Sequence, residues 1–113
     1  MNLKNVFALS DAIRYVAVNE EGELRLESRA DLPNASSSES DRYEELIVNP
    51  TLLTLTRTRG EIDCGGLRCV VVCYGNFDQL VVPLPTGHVS VAFEAGHDPA
   101  QFAASVADLA GRD

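Results

Sequence analysis

The residues best suited to chemistry are three cysteines and two histidines. Cys64, Cys69 and Cys73 lie five and four positions apart, and His88 and His97 follow them in the chain. A structural zinc site is normally built from closely spaced cysteine pairs with a full set of four ligands, so this spacing predicts no metal site. A catalytic cysteine needs an exposed, activated thiol, whereas two of these cysteines stand in an apolar run. We therefore expect buried free thiols in a reducing compartment.

Acidic and glycine-rich segments could also carry chemistry. The acidic clusters at residues 20–23 and 39–45 lack the ligand spacing of a calcium loop, and such charge runs are usually solvated surface. Gly65-Gly66 is followed by a predicted strand, without the Lys-Ser/Thr pair of a phosphate-binding loop, so it predicts a turn. Arg57 and Arg59 are explained by the favourable position of cations near the end of a helix. The sequence predicts no catalytic residue and no cofactor.

Composition restricts the class of partner. The 113 residues carry a formal net charge of −8 and 45% of them are hydrophobic, which predicts one globular domain over residues 1–113. An acidic surface disfavours binding to nucleic acid and to anionic membranes. No apolar run has the length of a signal peptide or of a membrane span. We expect a cytoplasmic protein that neither inserts into a membrane nor binds nucleic acid.

The first third of the chain predicts a short helix and a hairpin. Residues 2–10 form one or two helical turns that must dock on something else, since so short a helix is unstable alone. Two strands are predicted, at Ile13 to Val18 and at residues 23–27, joined by a turn in which Gly22 adopts a positive φ. Residues 29–40 are polar and serine-rich, and predict a mobile loop.

The middle of the chain is ambiguous. Residues 41–48 predict a helix with an acidic first turn and with Tyr43, Leu46 and Ile47 on one side. Asn49-Pro50 either kinks this helix or starts a second one. Residues 50–58 alternate like a strand and also show helical spacing; we favour a helix, with Gly60 at its C-cap.

The last half predicts three antiparallel strands and a helix. The strands cover residues 67–74, 80–84 and 88–94, with short connections and with Pro83 at a strand end or bulge. Asp98 is the expected N-cap of a terminal helix that has Phe102, Val106 and Leu109 on one face. The expected fold class is α+β, with one five-stranded antiparallel sheet and helices on its faces.

The second half also resembles a known family. The resemblance is to the roadblock/LC7 family and covers roughly residues 13–111, mostly from residue 60 onward. Two departures are the short first helix and the proline and threonines of the second helix. The segments that carry the resemblance are Cys64-Gly65-Gly66-Leu67, Val70-Val71-Val72, Tyr74-Gly75-Asn76-Phe77, Leu80-Val81-Val82-Pro83-Leu84, Gly87-His88-Val89-Ser90-Val91-Ala92 and Asp98-Pro99.

The resemblance implies a profilin-like, roadblock/LC7-like sheet with two helices on one face, and a homodimer. In such dimers the strand at residues 67–74 pairs with its own copy across a two-fold axis, and the second helices pack together. The apolar character of that strand favours the same arrangement, because an exposed apolar edge invites a partner strand. The interface residues this implies are Leu52, Leu55, Leu67, Cys69, Val71 and Cys73.

The function that the resemblance implies is a non-enzymatic homodimeric adaptor or regulator that binds a small Ras-like GTPase or a related protein. Two alternatives stay open. One is a small-molecule-sensing domain, which would need a concave apolar pocket with a few convergent polar groups. The other is a structural subunit of a larger complex without a GTPase.

Overall fold

A computed structural model describes residues 1–111 and shows one antiparallel sheet with helices on both faces. The strands stand side by side in the order β2-β1-β5-β4-β3, so β3 lies at an open edge. The strands are β1 (Ile13–Glu20), β2 (Glu23–Ser28), β3 (Val70–Cys73), β4 (Phe77–Leu84) and β5 (Gly87–Glu94). The helices are α1 (Leu3–Phe7), α2 (Ser38–Tyr43), a π-helical turn (Glu44–Val48), α3 (Asn49–Asp63), a 3-10 turn (Pro99–Phe102) and α4 (Ala103–Ala110). The predicted α+β class and five-stranded sheet are confirmed.

One face of the sheet carries the apolar core. Side chains of β1, β4 and β5 alternate toward α1 and α4, which pack on this face and touch each other. Val6 of α1 and Val106 of α4 are both fully buried there, and the rings of Phe93 and Phe102 stack with centroids 5.1 Å apart. Docking on the sheet explains why a five-residue helix such as α1 persists.

The opposite face of the sheet is covered by the second helical region. Helix α2, the π-helical turn and α3 follow one another without a break from Ser38 to Asp63. This region settles the ambiguity of residues 50–58 in favour of the helix. The threonines there satisfy their hydroxyl groups by donating to the carbonyl four residues earlier, as Thr54 does to Pro50 and Thr58 to Thr54.

Several predicted boundaries move. Strand β3 spans Val70–Cys73, shorter than the predicted residues 67–74, and β4 starts three residues earlier than predicted. The predicted loop over residues 29–40 ends sooner, because the Ser37 side chain accepts from the Ser40 amide and caps α2. Pro83 stands next to the end of β4, beyond the part that pairs with β3, as a strand proline requires.

One of the two predicted helix caps is wrong. Gly60 lies inside α3, where its carbonyl accepts from the amides of both Cys64 and Gly66. A Cβ at Gly60 would come within 2.9 Å of the Gly66 carbonyl oxygen, so close approach of the returning chain explains the glycine. Asp98 does stand at the predicted N-cap position and Pro99 at the first helical position, in a 3-10 turn that leads into α4, but Asp98 has a left-handed φ of 46° and its side chain makes no capping hydrogen bond.

Gly87→Ala is expected to destabilise the fold. At this start of β5 a Cβ would lie 1.8 Å from the Asn19 carbonyl oxygen, which belongs to the backbone of a central strand and cannot move aside. The expected loss in the free energy of unfolding is about 2 kcal/mol or more, measured by urea denaturation. Gly75→Ala is the control, since a Cβ there meets nothing within 4 Å. Equal stabilities of the two variants would contradict the assigned register.

Candidate functional site

A buried carboxyl group joins the long helical region to the sheet. Glu45 is fully buried, and its carboxyl oxygens accept from the Tyr15 hydroxyl at 2.8 Å and from Asn49 Nδ2 at 3.0 Å. His88 Nε2 lies 2.8 Å from the same carboxyl group. Burial and then the neighbouring Glu45 carboxylate raise the pKa of the Tyr15 phenol, so Tyr15 keeps its proton and donates it. These contacts offset the cost of burying a carboxyl group.

The network continues across the sheet. Ser90 Oγ accepts from Asn49 Nδ2 at 3.2 Å and also from Gln79 Nε2. Gln79, Ser90 and Asn49 are fully buried and His88 is 1% exposed, so no substrate reaches them in this conformation. The network therefore holds the helical region against the sheet. Its Glu45–His88 pair is not accessible as a catalytic dyad.

The π-helical turn Glu44–Val48 lies at the centre of this network. A π-helical turn inserts one residue into the helical repeat, and such turns recur at functional positions. Asn19 Nδ2 donates to the Glu45 carbonyl oxygen at 3.1 Å and ties the turn to β1. Asn49 follows the turn directly and donates back to Glu45. The irregular turn is thus fixed at both ends by amide side chains.

Most acidic residues of this region face inward, against the expectation that residues 39–45 form a solvated surface, although Glu39 is exposed as expected. Asp41, Glu44 and Glu45 are all buried. Ser36 Oγ donates to Asp41 Oδ1, and the Tyr74 hydroxyl donates to Glu44 Oε1 at 2.7 Å. The expectation failed there because each of these carboxyl groups has a polar partner: Ser36 before α2 for Asp41, Tyr74 in the β3–β4 turn for Glu44, and Tyr15 and His88 on the sheet for Glu45.

Five apolar residues of the same helical region face outward, whereas Leu53 is buried. Tyr43 is 61% exposed, Ile47 51% and Leu55 65%, and Leu46 and Ile62 are exposed as well. A helix on the surface of a globular protein normally turns its apolar residues toward the core. The outward apolar surface, defined here as Tyr43, Leu46, Ile47, Leu55 and Ile62, is therefore available to a partner.

The edge strand β3 provides a second unpartnered surface. Val70, Val71 and Val72 are half-buried, and β3 pairs only with β4. Tyr74 donates its amide to the Phe77 carbonyl at 2.9 Å, in register with the β3–β4 ladder. Because hydrogen-bonded pairs alternate along an antiparallel ladder, the backbone groups of Val71 and Cys73 point to the open edge.

The residues predicted for an interface lie in three places. Leu52 and Leu55 are on α3, half-buried and exposed respectively. Val71 and Cys73 belong to β3, and the side chain of Val71 packs partly against the main core. Leu67 and Cys69 are half-buried in the segment before β3, outside the strand in which they were predicted.

The cysteines are free, but the expectation that they are buried is wrong. Cys64 and Cys73 are exposed and Cys69 is half-buried. A hydrogen bond with Asp78 and its negative charge raise the pKa of the Cys73 thiol, which makes it a poorer nucleophile at neutral pH. His88 is paired with Glu45, and within residues 1–111 no cysteine sulfur forms a hydrogen bond with a histidine.

A groove of about 880 Å3 lies between the segment before β3 and α4. Its walls are mainly small and apolar, with Leu67, Cys69 and Ala104 among them, and with Arg68 and Gln101 as polar groups. In the described part of the chain, no cluster of three or more histidine, cysteine or carboxylate side chains is placed to hold a metal ion. No helix within residues 1–111 has the length and apolar character needed to cross a bilayer.

Sequence reasoning missed the buried network. The signal available was the set of polar residues inside strands: Gln79, His88 and Ser90 alternate with buried apolar residues. Such alternation usually predicts a solvated face. Only the position of the covering helix shows that this polar face is enclosed.

Comparisons of this chain with protein-family models, with curated proteins and with solved structures found no match.

Glu45→Ala is expected to weaken the fold strongly. The change leaves Tyr15, Asn49 and His88 buried without their common partner, and each buried polar group that loses its hydrogen bond costs about 1–3 kcal/mol, so a total loss of about 3 kcal/mol or more is expected. Urea denaturation measures the free energy of unfolding, and Glu61→Ala, on the exposed side of α3, is the control. Losses of similar size in both variants would contradict the anchoring role of Glu45.

The stability of the chain is expected to depend on pH through Asp41 and Glu44. Burial raises the pKa of both carboxyl groups above the ordinary values of 3.8 and 4.5, against the opposing hydrogen bonds from Ser36 and Tyr74. Between the ordinary and the raised pKa, the folded chain holds more protons than the unfolded chain. The free energy of unfolding therefore decreases as the pH rises through this window, starting from about pH 4.

Glu44→Gln removes one of these titrations while keeping an acceptor for Tyr74. We expect a shallower decrease of the unfolding free energy with pH in this variant, measured by denaturation at a series of pH values. Glu61→Gln makes the same change of charge at an exposed position and should keep the wild-type slope. Identical slopes for Glu44→Gln and the wild-type chain would contradict the assignment.

Proposed function

We propose that this chain is a non-enzymatic homodimeric adaptor that binds a small Ras-like GTPase or a related protein, in the manner of the roadblock/LC7 family. The observation that carries the proposal is the outward apolar surface beside an open sheet edge. Both features belong to the two elements that the resemblance assigns to the dimer interface, the second helical region and the first strand of the meander. Pairing of β3 with a second copy would remove the open edge, and packing of α3 on its copy would cover Leu55.

The charge and composition of the chain support a protein partner. A net charge of −8 disfavours nucleic acid and anionic lipid, and favours a partner with a neutral or basic docking face. The potentially reactive groups are poorly placed for catalysis, since the Glu45–His88 pair is buried and the Cys73 thiol has a raised pKa. Exposed apolar residues that could bind a partner, by contrast, are spread along the second helical region, from Tyr43 on α2 to Ile62 on α3.

A second candidate function is a small-molecule-sensing domain. The groove of about 880 Å3 beside α4 favours it, because ligand sites are typically concave, mostly apolar and of about this size. The groove shares Leu67 and Cys69 with the predicted interface, but Leu55 on α3 and Ala104 on α4 belong to one candidate each, so variants at those two positions separate the candidates.

Leu55→Glu is expected to dissociate the dimer. A charge introduced at the centre of an apolar helix contact should raise the dimer dissociation constant about 30-fold or more, as expected of a residue that contributes about 2 kcal/mol. Sedimentation velocity on purified protein at micromolar concentration measures the mass. Ser105→Glu on the exposed side of α4 is the matched control and should remain a dimer.

A wild-type chain that is monomeric at these concentrations would contradict the dimer. The GTPase is tested separately, by capture from native lysate on the immobilised wild-type dimer and identification by mass spectrometry. Recovery of a small Ras-like GTPase supports the adaptor proposal. A stable dimer that captures only other proteins would favour a structural subunit instead.

A further inference from the structure

A pocket of about 430 Å3 lies where α2 and the π-helical turn meet the hairpin between β3 and β4. Aromatic rings form much of its wall, and two carboxyl groups, those of Asp41 and Glu44, line the same space. The rings of Tyr74 and Phe77 lie 5.4 Å apart, and those of Tyr15 and Phe77 6.4 Å apart. The wall is therefore a connected aromatic cluster with acidic groups beside it.

One oxygen of the Glu44 carboxyl group has no hydrogen-bond partner among residues 1–111. Glu44 is only 9% exposed, and its Oε1 accepts from the Tyr74 hydroxyl, but its Oε2 is buried without any hydrogen bond. Buried polar atoms are nearly always satisfied, so an orphaned carboxylate oxygen in a pocket wall indicates a missing donor. Within residues 1–111 neither Asp41 nor Glu44 has a basic side chain at ion-pair distance.

A cation already lies over one ring of the aromatic cluster, and its nitrogens are committed to other partners. The Arg14 guanidinium carbon lies 5.8 Å from the centroid of the Phe77 ring. Its nitrogens donate to Glu94 Oε1 at 2.6 Å and to the Pro33 carbonyl at 2.8 Å, so they are not available to Glu44. Arg14 shows that this aromatic cluster accommodates a guanidinium group, and the two carboxyl groups could satisfy a second one.

We propose that this pocket binds a guanidinium group, carried by a small alkylguanidine or by an arginine side chain of a protein partner. A guanidinium stacks on aromatic faces and is less strongly hydrated than an ammonium ion. Its planar N–H groups can reach both a carboxylate oxygen and a second acceptor. A quaternary ammonium would fit the rings but would leave Glu44 Oε2 unsatisfied, because it has no N–H to donate. The unmatched negative charge of Asp41 and Glu44 favours a cation over a neutral donor.

The test is a titration of the full chain with butylguanidinium, followed by amide chemical shifts of Tyr74, Gly75 and Asn76. Saturable shifts that map to this pocket are expected at millimolar concentrations. Tetramethylammonium chloride at equal ionic strength is expected to give none. Absence of saturable shifts up to tens of millimolar, or equal shifts from both salts, would overturn the proposal.

Glu44→Gln removes the charge of the orphaned carboxyl group and should weaken binding about tenfold or more, as expected for loss of a charge-assisted hydrogen bond. Glu61→Gln, exposed on α3, is the matched control and should bind as the wild-type chain does. If Glu44→Gln does not fold, Asp41→Asn replaces it, with the same expected direction. Equal affinity of the folded pocket variant and the Glu61→Gln control would contradict the site.

A second arm of the titration distinguishes the two sources of the guanidinium. A short peptide with one arginine between glycine and serine residues is compared with butylguanidinium. Tighter binding of the peptide assigns the pocket to a protein partner, and equal binding assigns it to a small molecule. Both results support the pocket. They are independent of the dimer, because the Leu55→Glu variant that dissociates the dimer leaves every residue of the pocket wall unchanged.

Discussion

The fold depends on the hydrogen bonds that hold one buried carboxyl group between a helix and a sheet. Glu45 reaches from the π-helical turn to Tyr15 on β1 and to His88 on β5. A carboxyl group with no exposed surface is stable only if its partners stay in place, so the network fixes both the position and the rotation of the helical region. The regular apolar core on the other face of the sheet imposes no such orientation on this helix.

The orientation explains the surface of the molecule. With Glu45 and Asn49 turned toward the sheet, the apolar side chains of the same helical region must face outward. The threonines of α3 donate to backbone carbonyls within the helix, which reduces the polarity of this side further. An apolar helix surface beside an open strand edge is a natural site for association. The buried polar network and the proposed interface are thus two consequences of one helix rotation.

The same rotation creates the acidic aromatic pocket. Asp41 and Glu44 face inward on the turns that precede Glu45, next to the hairpin that carries Tyr74 and Phe77. Burial of these carboxyl groups opposes stability at neutral pH, since it raises their pKa values. Carboxyl groups with perturbed pKa values in a cleft are candidates for function, and the Glu44 oxygen without a partner supports the proposed guanidinium site.

Much of the fold could be predicted from the sequence, because strands β1, β4 and β5 and helix α1 follow from short-range apolar patterns and turn residues. The rotation of the second helical region could not be predicted in the same way. Its apolar residues Tyr43, Leu46 and Ile47 form a side that would ordinarily face inward, and Glu45 carries no local signal of burial. The decisive partners, Tyr15 and His88, lie 30 and 43 residues away from Glu45 in the chain, beyond the reach of any periodicity. The cap at Gly60 was mispredicted for a related reason, since the close approach of Gly66 overrides local preference there.

The central claim, that β3 is the strand through which two copies of the chain pair, is tested most directly by amide hydrogen exchange in the wild-type protein. The amides of Val71 and Cys73 point to the open edge in a single copy, so they exchange rapidly unless a second strand covers them. If two copies pair through β3, both amides become protected from exchange as the protein concentration rises into the range where the dimer forms. Their protection then matches that of the amides in the β3–β4 ladder. Rapid exchange of Val71 and Cys73 at every concentration, with the rest of the sheet protected, would contradict it.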